Sequence, residues 1–198
     1  MAEVRVVLHS CCGPCASACV PRLKELGHEP VMYFANSNLD SAEEYARRLD
    51  AARRLADAEG VALAAEPYNH EEWLKEVAAG YENEPEKGTR CDRCFRYNLA
   101  KTAAFAAARG LEAFTTSLTV SPHKVSERVF AAGKQAAQEM NGPKFLSENF
   151  KKREGFKRSL VRSAELGLYR QSYCGCEFSR RSALPVAART EQVSDQKQ

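Results

Sequence analysis

An α/β fold is predicted, a mostly parallel sheet flanked by helices, and three features of the chain predict it. Short apolar runs of strand length alternate with longer stretches whose apolar residues recur at helical spacing. The first strand-to-helix junction, Ser10-Cys11-Cys12-Gly13-Pro14, is short enough to be a tight turn. The 198 residues are 44% hydrophobic, enough for one full core without covalent staples. Alternation of this kind builds parallel sheets through right-handed crossovers. Such sheets bind ligands at the carboxyl ends of their strands, near the point where strand order reverses. Here cysteine-bearing loops are expected at those ends.

Each element has its own signal. Residues 4–8 read as a buried strand that stops at His9-Ser10. Ala16, Cys19, Val20, Leu23 and Leu26 give residues 15–26 a helical stripe, with Pro14 suited to the first turn and Gly27 to the C-cap. Residues 31–35 form a second strand that ends in Asn36-Ser37-Asn38. Ser41 and Glu44 have capping-box spacing ahead of Ala42, Tyr45, Ala46, Leu49 and Leu55. A weaker strand over 61–65 precedes a short helix carrying Trp73, Leu74 and Val77. Residues 82–90 form a polar loop that delivers Cys91 to the start of an alanine-rich helix ending near Arg109. A strand over 113–118, the loop Ser121-Pro122-His123-Lys124, a helix over 126–140, a strand over 144–147 and a helix over 156–168 follow. Trp73 and Phe105 are expected in the core. A single catalytic domain is expected over 1–189, with a basic part at 150–189 and a disordered tail at 190–198.

Composition narrows the function classes. No apolar run approaches the ~18 residues of a membrane helix, and the N-terminus lacks a signal-peptide pattern. A cytoplasmic protein with no membrane partner is the expectation. Charge is unevenly placed: residues 34–87 hold thirteen acidic and six basic side chains, whereas residues 150–189 hold ten basic and three acidic. A basic C-terminal third suits a polyanion, although a solvated basic face explains the charge equally well. Neither GxGxxG nor a P-loop occurs, so nicotinamide and ATP sites have no support.

Eight cysteines are the anomaly. Cys11, Cys12 and Cys15, Cys91 and Cys94, and Cys174 and Cys176 form CCxxC, CxxC and CxC groups, with Cys19 apart. In a reducing compartment such groups indicate metal ligation or redox chemistry rather than structural disulfides. Three readings stand. Cys12-Gly13-Pro14-Cys15 matches a thioredoxin-like dithiol, where a helix N-terminus activates the first thiol; a thiol-disulfide oxidoreductase follows from that. Paired cysteines also build structural zinc sites, but four ligands suffice there. An iron–sulfur centre takes four thiolates, and Cys11, Cys12, Cys91 and Cys94 can supply them from two helix starts. Cys15 is then left for a second metal or a thiol role, and Cys174 and Cys176 for a redox couple.

The chain resembles the QueH type of epoxyqueuosine reductase over residues 4–182. The resemblance is carried by Leu8-His9-Ser10-Cys11-Cys12-Gly13-Pro14-Cys15, by Tyr33-Phe34 with Asn36 and Asn38, and by Glu44-Tyr45. It continues through residues 84–94, Thr115-Thr116-Ser117-Leu118, residues 121–124, Phe150-Lys151-Lys152 and residues 167–179. It implies a HUP-like, Rossmann-related fold and a [4Fe–4S] cluster with Cys11, Cys12, Cys91 and Cys94 as ligands. It further implies an adjacent iron, placed at Cys15, and a redox-active pair, Cys174 and Cys176, able to form a disulfide. Cys19 and His28 match no block, and Asn36-Ser37-Asn38-Leu39-Asp40 departs from the family's run at 39 and 40.

The implied reaction is reductive removal of the epoxide oxygen of epoxyqueuosine at the anticodon wobble position of tRNA, the last step to queuosine. It takes two electrons, two protons and an acceptor site for the oxygen, and its electron donor is not identified. His123 and Tyr173 are the candidate catalytic groups beside the cysteines, with His9 behind them. Loop bases are read by stacking on aromatic or guanidinium planes. Arg170, flanking the CxC group with Arg180 and Arg181, suits that purpose, and Lys151, Lys152, Arg153, Lys157 and Arg158 suit phosphates. The alternative from a different class is a non-catalytic, zinc-stabilised tRNA-binding protein.

Overall fold

The computed structural model describes residues 4–183, with side chains to residue 180. The expected tail at 190–198 and the side chain of Arg181 lie outside the described residues. Five strands, β1 (Val4–His9), β2 (His28–Phe34), β3 (Leu63–Ala65), β4 (Ala113–Thr116) and β5 (Lys144–Phe145), form one sheet in the order β3-β2-β1-β4-β5. Every pairing is parallel. The helices are α1 (Gly13–Glu25), α2 (Ala42–Glu59), α3 (His70–Trp73), α4 (Thr89–Ala108), α5 (Ser126–Met140), α6 (Gly155–Glu165) and α7 (Glu177–Ala183). The predicted α/β class holds, in the strand order of a Rossmann-related, HUP-like sheet.

Alternation along the central strands explains why both faces are covered. Leu8, Met32 and Phe34 enter a core packed by Leu23 of α1, Leu49 and Leu55 of α2, and Phe150. Val7 and Tyr33 enter a second core with Leu99 and Ala103 of α4 and Val129 of α5. A parallel sheet buried on both faces needs this near-continuous apolar run. The chain reverses its direction of growth between β1 and β4, and the last pairs there are His9 with Tyr33 and His9 with Thr116. The loops following these strands therefore meet at the topological switch point.

Strand limits differ from the sequence expectation for local reasons. β4 stops at Thr116 because its hydroxyl accepts from the Leu118 amide at 3.1 Å, and a 3-10 turn follows over Ser117–Val120. β2 begins earlier than predicted, at His28, since Pro30 lies where the strand pairs with β1 only. The helix around Trp73 is a short α3 continued by a π turn over Leu74–Ala78.

Gly13 has a steric explanation. A Cβ at Gly13 would stand 2.5 Å from the Ala51 carbonyl oxygen, so only glycine lets the start of α1 lie against α2. Gly13→Ala is therefore expected to lower stability by about 1–3 kcal/mol, the usual penalty for overpacking. Equilibrium denaturation checks this, and an unchanged midpoint would show that the backbones can part freely.

Candidate active site: a cysteine-lined cleft at the switch point

The first cysteine group sits where β1 hands over to α1. Cys12 is the N-cap of α1, its sulfur accepting from the Cys15 amide at 3.4 Å. Among the described residues, Cys11, Cys12 and Cys15 form a set of potential ligands whose sulfurs all lie within 4.8 Å of one another. Cys11 is tied to the end of β4: its amide donates to Ser117 Oγ at 3.0 Å, and that hydroxyl donates to the Cys11 sulfur at 3.3 Å. Gln171 Nε2 donates to the Cys12 sulfur at 3.1 Å. These bonds to Cys11, Cys15 and Gln171 hold the Cys12 thiol below the ordinary range, whereas the Cys12 contact pushes the Cys11 thiol up.

Cys91 and Cys94 lie on the first turns of α4, where the Lys87 amide reaches the Cys91 sulfur at 3.2 Å and Asn98 Nδ2 the Cys94 sulfur at 3.7 Å. Burial raises both thiols. Together with Cys174 and Cys176 they line a cavity of about 60 Å³. A larger cleft of about 410 Å³ is bordered by Cys11, Cys15, Cys94 and Cys174, so all three groups share one opening. Cys174 is exposed, and the half-buried Lys124 ammonium donates to its sulfur at 3.1 Å. Burial alone would lower the Lys124 pKa, but the neighbouring sulfurs, Cys174 foremost, hold it above the ordinary lysine range. All eight thiols are free.

The loop carrying Cys174 and Cys176 hangs on a buried ion pair. Arg48 of α2, 2% exposed, binds Glu44 Oε1 at 2.7 Å and donates to the carbonyls of Cys174 at 2.9 Å and Tyr173 at 3.4 Å. The Asp40 amide donates to the Gly175 carbonyl at 2.9 Å. Gly175 has φ 140°, and a Cβ there would meet Leu39 at 2.5 Å, so the CxC spacing needs glycine between its sulfurs. Leu39 and Asp40, for which the resemblance offered no part, thus grip this loop. The signal was readable only after the two segments had been brought together.

The remaining predicted residues fall into three groups. His123 is exposed at the rim of both cavities, and Arg170 lines the larger one. Tyr173 donates its hydroxyl proton to Asp40 at 2.8 Å and lies under Arg180 and Arg48. His9 is wholly buried between Thr116 Oγ1 and the Ala35 carbonyl, and burial pushes its ring down to about 4. Of the basic run, Lys152, Arg153, Lys157 and Arg158 are exposed, Lys157 beside Glu154 and Arg158 beside Glu25. Lys151 turns inward instead, bonding the Lys124 carbonyl and Ser126 Oγ. Sequence reasoning missed Arg48, Ser117, Asn98, Lys124 and Gln171 as supports of the cysteines, since each acts on a sulfur or carbonyl supplied by another segment or another turn.

Fold and site together define a Rossmann-related protein with a thiol-lined cleft at its switch point. A family model described as "Epoxyqueuosine reductase QueH" matches residues 6–182. Two curated proteins named Epoxyqueuosine reductase QueH are similar. That of Streptococcus pyogenes is 35% identical over 88% of this chain and 69% of its own. That of Dehalococcoides mccartyi is 34% identical over 88% of this chain and 92% of its own. Among solved structures, the U34-tRNA thiolase NcsA of Methanococcus maripaludis with its [4Fe–4S] cluster superposes with a TM-score of 0.55. It is 12% identical and covers 99% of this chain and 67% of the other, a likeness of fold. The chain belongs to the QueH family of epoxyqueuosine reductases, which makes it an oxidoreductase. No helix of the described residues is long and apolar enough to cross a membrane.

Arg48→Met strands the Glu44 carboxylate in the interior and frees two carbonyls of the cysteine loop. The expected loss is about 3–5 kcal/mol of stability, typical of breaking a buried pair, read by urea denaturation. The double variant with Glu44→Gln is expected to recover part of it, and equal losses in single and double variants would contradict the pairing.

Proposed function

We propose that this chain removes the epoxide oxygen of epoxyqueuosine at the anticodon wobble position of a tRNA, using a [4Fe–4S] cluster held by Cys11, Cys12, Cys91 and Cys94. One observation carries the reading. Each of these four sulfurs accepts a hydrogen bond, from Ser117, Gln171, the Lys87 amide and Asn98 respectively. Outer donors of this kind support ligating thiolates and tune them. Cys12, Cys91 and Cys94 also lie at the N-terminal ends of α1 and α4, where helix dipoles favour negative charge. Burial that raises the Cys91 and Cys94 thiols is the burden that a bound cation offsets. The donor set therefore fits an iron–sulfur group, with Cys15 available to a second, adjacent iron.

When bound, the cluster supplies electrons and, with the adjacent iron, Lewis acidity toward oxygen. Epoxide plus two electrons and two protons gives alkene plus water. His123, at the rim, is the proton donor to the departing oxygen. Tyr173, locked to Asp40 and Arg180, holds the 173–176 loop against the cleft. Cys174 and Cys176 store a further electron pair, becoming a disulfide when they release two electrons and two protons. The electron donor, itself unidentified, meets the exposed Cys174. Arg170, stacked over Phe156 at 5.4 Å, offers a plane on which a splayed loop base rests. Lys152, Arg153, Lys157 and Arg158 meet phosphates, and Lys151 braces the loop bearing Lys124.

Protein purified without air is expected to contain about four irons and four labile sulfides per chain, with visible charge-transfer absorbance. Replacing Cys91 and Cys94 by Ala is expected to abolish both. One zinc and no labile sulfide would overturn the reading in favour of a colourless tRNA-binding protein built on Cys11, Cys12 and Cys15.

Charge reversal of Lys152, Lys157 and Arg158 to Glu is expected to weaken tRNA binding and flatten its dependence on salt, because fewer counterions are released. Binding measured across a salt series checks this. Identical affinities and slopes would remove the basic segment from the tRNA interface.

A further inference from the structure

Trp73, expected from sequence to be an ordinary core residue, carries an unexplained polar group. It is 1% exposed, and its indole Nε1 has no hydrogen-bond partner. Buried donors of this kind are rare enough in native structures to call for a reason. The ring is packed firmly: His70 stacks on it at 5.5 Å and 13°, and Phe178 lies 6.4 Å away. It ends α3 at the point where the chain widens into the π turn Leu74–Ala78, a feature that often marks functional sites. Trp73 borders the small cavity formed by Cys91, Cys94, Cys174 and Cys176, and the apolar cluster around it takes in both Cys94 and Cys176.

Cys94 is the sulfur that needs a donor. Asn98, at 3.7 Å, is its long partner, and Asn98 Nδ2 also serves Asn38 Oδ1 at 3.2 Å. The unpaired indole borders the same cavity as Cys94 and belongs to the apolar cluster against which Cys94 packs.

We propose that in the cluster-loaded protein the Trp73 N–H, unpaired here, donates to the Cys94 sulfur and so sets the reduction potential of the iron–sulfur centre that Cys94 helps to hold. The inference rests on the ligand assignment given under the proposed function. Hydrogen bonds to ligating sulfur stabilise the more negative, reduced state of a cluster more than the oxidised one. Trp73 is thus a positioning residue for electrons rather than a group that touches substrate.

The experiment uses the anaerobically purified holoprotein and its Trp73→Phe variant. Iron, labile sulfide and midpoint potential are measured for both. The expected result is unchanged iron and sulfide with a midpoint potential shifted to more negative values in the variant. An intact cluster at the wild-type potential would overturn the inference while leaving the ligand assignment standing. Absence of labile sulfide in the wild type would overturn the assignment and the inference together. Since phenylalanine leaves space in a buried site, a second variant carries benzothienylalanine at 73, which keeps the ring shape and exchanges N–H for sulfur. The same negative shift is expected, and a shift confined to Trp73→Phe would trace to packing and refute the hydrogen bond.

Discussion

The buried pair of Arg48 and Glu44 is the interaction on which the geometry of the cleft depends. An ion pair with both side chains almost without solvent gains little net stability, so its value lies in what the remaining guanidinium hydrogens hold. They reach two carbonyls of the C-terminal loop, more than a hundred residues away in sequence. Tyr169 donates to the other Glu44 oxygen at 2.9 Å, so the same carboxylate anchors the approach to that loop. Helix α2 thereby carries the late cysteines to the early ones, and its length and cap serve that registration as much as the core.

Around this anchor the cysteine sulfurs are met by hydrogen-bond donors. Buried thiolates are costly in apolar surroundings, yet here backbone and side-chain donors from several segments converge on the cysteine sulfurs. Helix starts supply some of that polarity and side chains the rest. A chain that merely packed its cysteines as small hydrophobes, as Cys19 is packed in the core behind α1, would have no use for such donors. The contrast between Cys19 and Cys12 at the N-cap falls within about two turns of α1.

Much of the architecture was legible in the sequence because it depends on local pattern. The strand at Val4–His9, the Ser41 cap of α2, whose hydroxyl accepts from the Glu44 amide at 3.2 Å, and the cysteine turn at the N-terminus of α1 follow from periodicity and capping chemistry. Less legible was anything decided between segments. Lys151 reads as one of five basic side chains on a phosphate-binding face, but its ammonium is captured by a carbonyl that periodicity cannot place. Tyr173 reads as a free phenol until Asp40 arrives from the loop after β2. Trp73 reads as bulk, since an aromatic ring in a short apolar helix gives no sign that its nitrogen lacks a mate.

The separation of the cysteine groups along the chain has a consequence for how the protein matures. Residues 11–15, 91–94 and 174–176 come from the beginning, middle and end of the sequence, joined through a parallel sheet whose crossovers close only over long loops. Such pairings form late in folding, after their entropy of closure has been met. A nascent chain leaving the ribosome therefore displays sulfurs in pairs and triplets but never the assembled set. Iron arriving at that stage would meet incomplete chelates, open to hydrolysis and to exchange with competing metals. On the cluster assignment proposed above, loading would follow folding, through the mouth of the cleft, and the fold would act as the gatekeeper of its own inorganic chemistry.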